Sequence, residues 1–135
     1  MKVILPRMHG MLDYGTIAIF ALAPTLFNFA GPYATACYVL AAGYLLITLM
    51  TDFPMGIMRM IPFPMHGGLE LVSGLALLAA PFIFGFNDDN TLARNFFMIM
   101  GVAFLGSWML TDWRADTHTA NNMNARGHKN MAPQH

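Results

Sequence analysis

The sequence predicts an all-α, polytopic membrane protein with four transmembrane helices, arranged as two tandem helical hairpins. The first observation is composition: 10% of the 135 residues are charged, 56% are hydrophobic, and the mean hydropathy is +0.50. A soluble domain carries about 25% charged residues. The second is charge segregation, since residues 14–51 and 71–87 contain no Lys, Arg, Asp, Glu or His. One span takes ~20 apolar residues.

The third observation is an internal repeat. Residues 8–13 (MHGMLD) recur as residues 65–70 (MHGGLE) at an offset of 57, and residues 49–53 (LMTDF) recur as 109–113 (MLTDW) at an offset of 60. Such duplication indicates that one structural unit is repeated in tandem along the chain.

We therefore predict a single domain over residues 1–113, with repeat 1 at 5–53 and repeat 2 at 62–113. Each repeat has two spans, so both insert with the same orientation. A pseudo-two-fold axis along the membrane normal should then relate them. Residues 114–135 are polar and are predicted to be a disordered tail.

The spans follow from the apolar stretches between breakers. Pro24 and Pro81 fall in the last third of the first and third spans, where proline bends or ends a helix. The stretch 52–64 has three prolines and a glycine among apolar residues, which predicts a short interfacial segment along the headgroups. The four spans are predicted at about residues 9–29, 33–51, 66–86 and 96–113.

Basic residues predict the orientation. Six of the seven lie on the side that holds both termini and the central loop, and only Arg94 lies on the other. The positive-inside rule places both termini in the cytoplasm.

Ionisable residues should gather at that same end of the bundle. His9 and Asp13, like His66 and Glu70, are four residues apart and share a helix face, so each histidine can reach its own carboxylate. Asp52 and Asp112 lie at the ends of the two repeats, and we expect them on the same side of the membrane as the histidines. Ionisable groups inside a bilayer normally face inward and pair.

Two interpretations of this cluster remain open. His9, His66, Asp13 and Glu70 would suit a divalent metal such as zinc, iron or manganese. Together with Asp52 and Asp112 they are also candidates to bind a small ligand or to relay protons. The alternative is a structural network in a non-catalytic accessory or scaffold subunit, which would pack in the bilayer against a homo-oligomer or a larger complex. Tyr44 and the equivalent Phe104 are assigned to packing.

Other function classes lack support. The net charge is zero and the basic residues form no patch, so nucleic acid is not an expected partner. The sequence contains no phosphate-binding loop, nucleophile elbow or CxxC motif. An enzyme is the least expected of the three classes.

The prolines also support a family resemblance. The strings around them, APTLFNF at 23–29 and APFIFGF at 80–86, stand where the SPW-repeat family of small bacterial membrane proteins has Ser-Pro-Trp. The HG-x-L-D/E opening and the Thr-Asp close resemble family features too. Both serines and both tryptophans of the motif are replaced. The resemblance, over about residues 5–113, implies two-helix repeats in the bacterial inner membrane and no established activity.

Overall fold

The computed structural model describes residues 2–85 and 90–115. Over these residues the fold is all-α, apart from two strands of two residues each. Three of the helices, Gly31–Met50, Phe63–Ile83 and Thr91–Leu110, are long and apolar enough to cross a membrane. The predicted tail lies outside the described residues from position 116 onward. The elements are α1 (Pro6–Leu26), α2 (Gly31–Met50), β1 (Thr51–Asp52), β2 (Ile61–Pro62), α3 (Phe63–Ile83) and α4 (Thr91–Leu110).

Each helix begins two to five residues before its predicted start. Pro6, Pro32 and Pro64 occupy the first or second helical position of α1, α2 and α3. Proline suits this position because its missing N–H would have no helical partner there. The start of α4 is capped instead by Asn90, whose side chain accepts a hydrogen bond from the backbone N–H of Ala93 at 2.9 Å.

The helix ends also come about three residues earlier than predicted. Pro24 and Pro81 lie inside α1 and α3, and each helix ends two residues later. Asn28 (φ 55°) and Gly85 (φ 73°) then take left-handed backbone conformations that reverse the chain. Asparagine and glycine tolerate this conformation best. These two residues are themselves separated by the repeat offset of 57.

Short backbone pairings join the end of each repeat to the start of the other. Strand β1 pairs in parallel with β2, with Thr51 opposite Ile61, and Ile4 forms a parallel bridge with Thr111. The backbone N–H of Asp112 donates to Ile4 O at 2.9 Å. Both ends of the domain are therefore held beside each other.

The segment between the repeats only partly fits the interfacial prediction. Phe53 is fully buried and stacks on Phe63, with ring centroids 5.7 Å apart. The segment's exposed apolar residues include Ile57, Met58 and Met60, and Pro54 and Pro62 are also exposed. The strand pairing pulls both ends of the segment into the bundle.

The helices pack mainly within each repeat, α1 on α2 and α3 on α4. An aromatic core joins the two repeats further along the bundle. Phe20 of α1 makes edge contacts with Phe96 and Phe104 of α4, at centroid distances of 5.7 and 6.3 Å. This core fixes how α1 and α3 face each other, and it therefore positions the residues that they carry.

Candidate functional site

Four ionisable side chains meet inside the bundle near the repeat junction. His9 and Asp13 come from α1, and His66 and Glu70 come from α3; none is more than 3% exposed. His9 Nε2 lies 3.2 Å from Asp13 Oδ1 and 3.4 Å from Glu70 Oε2. His66 Nε2 lies 3.4 Å from Asp13 Oδ2. We call these four residues the central cluster.

The pairing in the central cluster differs from the sequence prediction. His9 does contact its own carboxylate, Asp13, but His66 forms its ion pair with the Asp13 of the other repeat. The Asp13 carboxylate therefore bridges both imidazoles. Sequence spacing identifies partners on one helix, whereas this contact depends on how α1 and α3 face each other.

A threonine from the opposite repeat holds each imidazole. His9 Nδ1 lies 2.9 Å from Thr111 Oγ1, and His66 Nδ1 lies 2.8 Å from Thr51 Oγ1. The histidines are equivalent at the offset of 57 and the threonines at the offset of 60. The two hydrogen bonds thus join equivalent residues, and each crosses from one repeat to the other.

The threonine hydroxyls establish which ring nitrogen carries the proton. Thr51 Oγ1 donates to the carbonyl of Ile47, and Thr111 Oγ1 donates to that of Ser107, both at 2.7 Å. A hydroxyl has one proton, so each Oγ1 accepts from the histidine Nδ1–H. In a neutral imidazole Nε2 then carries the lone pair. Both Nε2 atoms face the carboxylates.

The carboxylate of Asp13 is also held by the second helix of its own repeat. The Tyr44 hydroxyl donates to Asp13 Oδ1 at 2.6 Å. Tyr44 packs against Phe104, as the sequence predicts, but the packing assignment missed this role of its hydroxyl. Phe104, the repeat equivalent of Tyr44, has no hydroxyl. Ser107, on the same helix as Phe104, places its Oγ 3.3 Å from His9 Nδ1.

One atom of each cluster residue remains without a hydrogen-bond partner. These buried atoms are His9 Nε2, His66 Nε2, Asp13 Oδ2 and Glu70 Oε2. Ligand atoms of His9, His66 and Glu70 all lie within 4.8 Å of one another, which is close enough to hold a metal ion. Buried polar atoms normally have partners. The side chains of His9, His66 and Glu70 therefore form a buried group with the spacing of a metal site.

The glycine of each HG motif makes room for an aromatic ring that closes the cluster. A Cβ on Gly67 would lie 2.8 Å from the Trp113 indole, and one on Gly10 would collide with Phe53. Trp113 packs edge-on against the His9 ring, with centroids 4.8 Å apart. The cluster is therefore covered by rings at the end of the bundle where α1 and α3 begin.

Asp52 and Asp112 do not join the central cluster. Among the described residues, neither belongs to the convergent ligand group or to an ion pair with its histidines. Asp112 lies in the turn after α4, where its Oδ1 accepts from the Arg114 N–H at 3.1 Å. Both aspartates follow the threonines that hold the histidines, and side chains of successive extended residues point in opposite directions.

A cavity of about 230 Å³ between α1 and α4 reaches the central cluster. Asp13, Glu70 and Ser107 line its polar side, and Leu12, Ala103 and Leu110 are among its apolar lining. Aromatic rings cover the cluster on one side, and this cavity reaches it from another. The cavity is therefore the direction from which a ligand can approach the cluster.

Comparison with known proteins gives one match. No curated protein and no solved structure matches the chain. The family model described as the SPW repeat domain matches residues 7–123, which is most of the sequence. The match includes both HG motifs, both threonines and all four residues of the central cluster. The chain therefore belongs to the SPW repeat family.

Proposed function

We propose that this chain is a membrane-embedded binding protein whose central cluster holds one divalent metal ion. The observation that carries the proposal is that ligand atoms of the buried residues His9, His66 and Glu70 lie within 4.8 Å of one another. Each of these side chains also leaves one buried polar atom without a hydrogen-bond partner. Each of these atoms is a metal ligand in its deprotonated form.

The charge of the cluster supports a cation. Asp13 and Glu70 place two carboxylates within 3.4 Å of the imidazole Nε2 atoms, in a place with almost no exposure to solvent. An isolated buried charge is strongly unfavourable unless it is paired or coordinates a metal. One divalent ion would neutralise both carboxylates, and the lone pairs on Nε2 would complete its coordination.

The surroundings also match those of metal-binding histidines. Such histidines usually donate their other ring nitrogen to an acceptor, which fixes the tautomer and the ring orientation. Thr51 and Thr111 provide that acceptor here. Imidazole and carboxylate ligands suit zinc, iron or manganese. His9, His66 and Glu70 would form the primary ligand set, with Asp13 Oδ2 as the fourth ligand.

The proposal includes the arrangement in the membrane. We infer that α1 is the fourth span, that a pseudo-two-fold axis relates the repeats, and that both termini are cytoplasmic in a bacterial inner membrane. The 21 residues of α1 correspond to ~30 Å of helix, the thickness of the hydrocarbon core. The crossed His–Thr pairs and the crossed strand pairings support the axis.

A structural network is the competing interpretation, in which this chain is an accessory subunit and proton sharing among His9, His66 and Asp13 holds the bundle together. The ion-pair distances of 3.2–3.4 Å support this structural interpretation, because these contacts form without any metal.

Metal content separates the two interpretations. Protein purified in detergent without chelator should carry close to one zinc, iron or manganese per chain by elemental analysis. His9→Ala and His66→Ala should each abolish this metal, whereas Asp112→Asn, a carboxylate at the same end but outside the cluster, should retain it. Metal-free wild-type protein whose melting temperature is unchanged by added zinc, iron or manganese would establish the structural network instead.

A further inference from the structure

The cavity between α1 and α4 has the character of a ligand site. It is about 230 Å³, and its mouth is formed by apolar residues of two neighbouring helices, including Leu12 and Leu110, which are 49% and 42% exposed. Its inner end is polar, because Asp13, Glu70 and Ser107 line it. A path therefore leads from the apolar surface of the bundle to two buried carboxylates.

The corresponding groove on the other side of the bundle differs in one important respect. A cavity of about 250 Å³ between α2 and α3 is lined by Gly43, Ile47 and Ser73. These residues are the repeat equivalents of Ala103, Ser107 and Thr16, which line the first cavity. The second cavity contains no carboxylate in its lining, and Ile47 stands where the first has the hydroxyl of Ser107. The duplication therefore produced two similar grooves, of which one reaches the ionisable groups.

We propose that the α1/α4 cavity binds a small uncharged molecule that carries a hydroxyl group on an apolar ring or chain and enters from the bilayer. The carboxylate side chains of Asp13 and Glu70 line the inner end of the cavity beside Ser107. A hydroxyl group on the ligand would donate a hydrogen bond to one of these carboxylates, and a ligand without such a donor would leave this polar end of the cavity unsatisfied. The apolar body of the ligand would lie against Leu12, Ala103 and Phe104.

The volume limits the size of this ligand. Drug-sized ligands occupy pockets of roughly 300–1,000 Å³. A cavity of about 230 Å³ suits a single substituted ring, such as a phenol, or a short alcohol. The proposal goes beyond metal binding and rests on the cavity and the polar residues at its inner end, and it does not require a metal.

The test uses 4-fluorophenol, whose fluorine signal reports binding to the full-length protein in nanodiscs, with empty nanodiscs as the background. Wild-type protein should broaden this signal in a saturable way. Ala103→Leu fills the α1/α4 cavity and should raise the dissociation constant by at least about tenfold. Gly43→Leu places the same side chain at the equivalent position of the α2/α3 cavity, where a Cβ meets no atom within 4 Å, and should leave binding unchanged.

A second probe tests the hydroxyl. 4-Fluoroanisole has a similar shape and no O–H donor, so it should give no saturable broadening. Equal binding of both probes, or equal loss in Ala103→Leu and Gly43→Leu, would overturn the proposal. The metal content of the same samples is measured separately. Absent metal with intact phenol binding would refute the metal site alone, and bound metal without phenol binding would refute the ligand cavity alone.

Discussion

His9 and Thr111 are 102 residues apart in the sequence, yet His9 Nδ1 and Thr111 Oγ1 lie 2.9 Å from each other. The equivalent pair, His66 and Thr51, is separated by 2.8 Å. In both pairs one repeat supplies the histidine and the other repeat supplies its acceptor. The orientation of each imidazole therefore depends on the docking of the two repeats.

Replacement of either threonine tests this dependence. Thr111→Val and Thr51→Val keep the side-chain shape and remove the oxygen that accepts the Nδ1–H. Loss of such a supporting acceptor lowers metal affinity by roughly 10–100-fold. We expect similar losses for both variants in a titration with zinc. Thr35→Val is the control, because Thr35 also donates to a carbonyl four residues earlier but is exposed and away from the site. Unchanged affinity in the two buried variants would show that the threonines do not support the ligands.

Adjacent glycines in α3 provide a matched test of the aromatic cover. In Gly67→Ala the new methyl group would lie 2.8 Å from the Trp113 ring, so overpacking should destabilise the protein by about 1–3 kcal/mol. Gly68 has open space around its Cβ position, and Gly68→Ala should be neutral or stabilising by about 0.5–1 kcal/mol, as expected within a helix. Thermal unfolding in detergent, followed by tryptophan fluorescence, measures both. Equal melting temperatures in the two variants would argue against the close Gly67–Trp113 packing.

The two carboxylates of the central cluster should not be equivalent. Asp13 contacts both imidazoles and accepts from Tyr44, whereas Glu70 forms its ion pair with His9. Asp13→Ala should therefore lower the stability of chelator-treated protein more than Glu70→Ala does. Breaking a buried pair from one side costs roughly 3–5 kcal/mol. A larger loss in Glu70→Ala would contradict the bridging role of Asp13.

Cysteine labelling tests the proposed orientation. In a Cys37→Ala background, Thr91→Cys and Arg114→Cys place thiols at exposed positions at opposite ends of α4. If both termini are cytoplasmic, an impermeant maleimide added to intact cells should label the first variant only. Both should react once the membrane is permeabilised, which is the control for accessibility. Labelling of the second variant alone from outside would reverse the orientation.

Much of the architecture could be predicted because repeated patterns in the sequence are local. The HG motifs, the paired prolines and the uncharged stretches predicted an all-α fold, four helices and the family. The helix bounds were shifted, because Pro32 and Pro64 were treated as breakers before a span although they lie in the first turn of α2 and α3. Proline has either role according to its position, and composition alone does not distinguish them.

Four of the six residues predicted to gather meet in the central cluster, whereas Asp52 and Asp112 do not, and the contacts within the cluster were not predicted. The i, i+4 spacing placed His9 with Asp13, and nothing in that spacing could indicate that Asp13 also contacts His66. The roles of Tyr44 and the two threonines were missed for the same reason, since each acts on a residue at least 15 positions away. The Thr-Asp pair that ends each repeat did indicate residues of the site. The prediction took the aspartates of this pair as site residues, whereas its threonines are the residues that reach the cluster.

The pairing of Ile4 with Thr111, and of Thr51 with Ile61, bears on how such a chain arose. A single repeat would supply one histidine and one carboxylate of the central cluster, and its own threonine would not orient its own histidine. It would need to associate with a second copy of itself, and that association has an entropic cost. Covalent fusion of two copies makes that encounter intramolecular, with an effective concentration set by a short linker. The two halves were then free to diverge, and Tyr44 opposite Phe104, and Ile47 opposite Ser107, are the places at the site where they have done so.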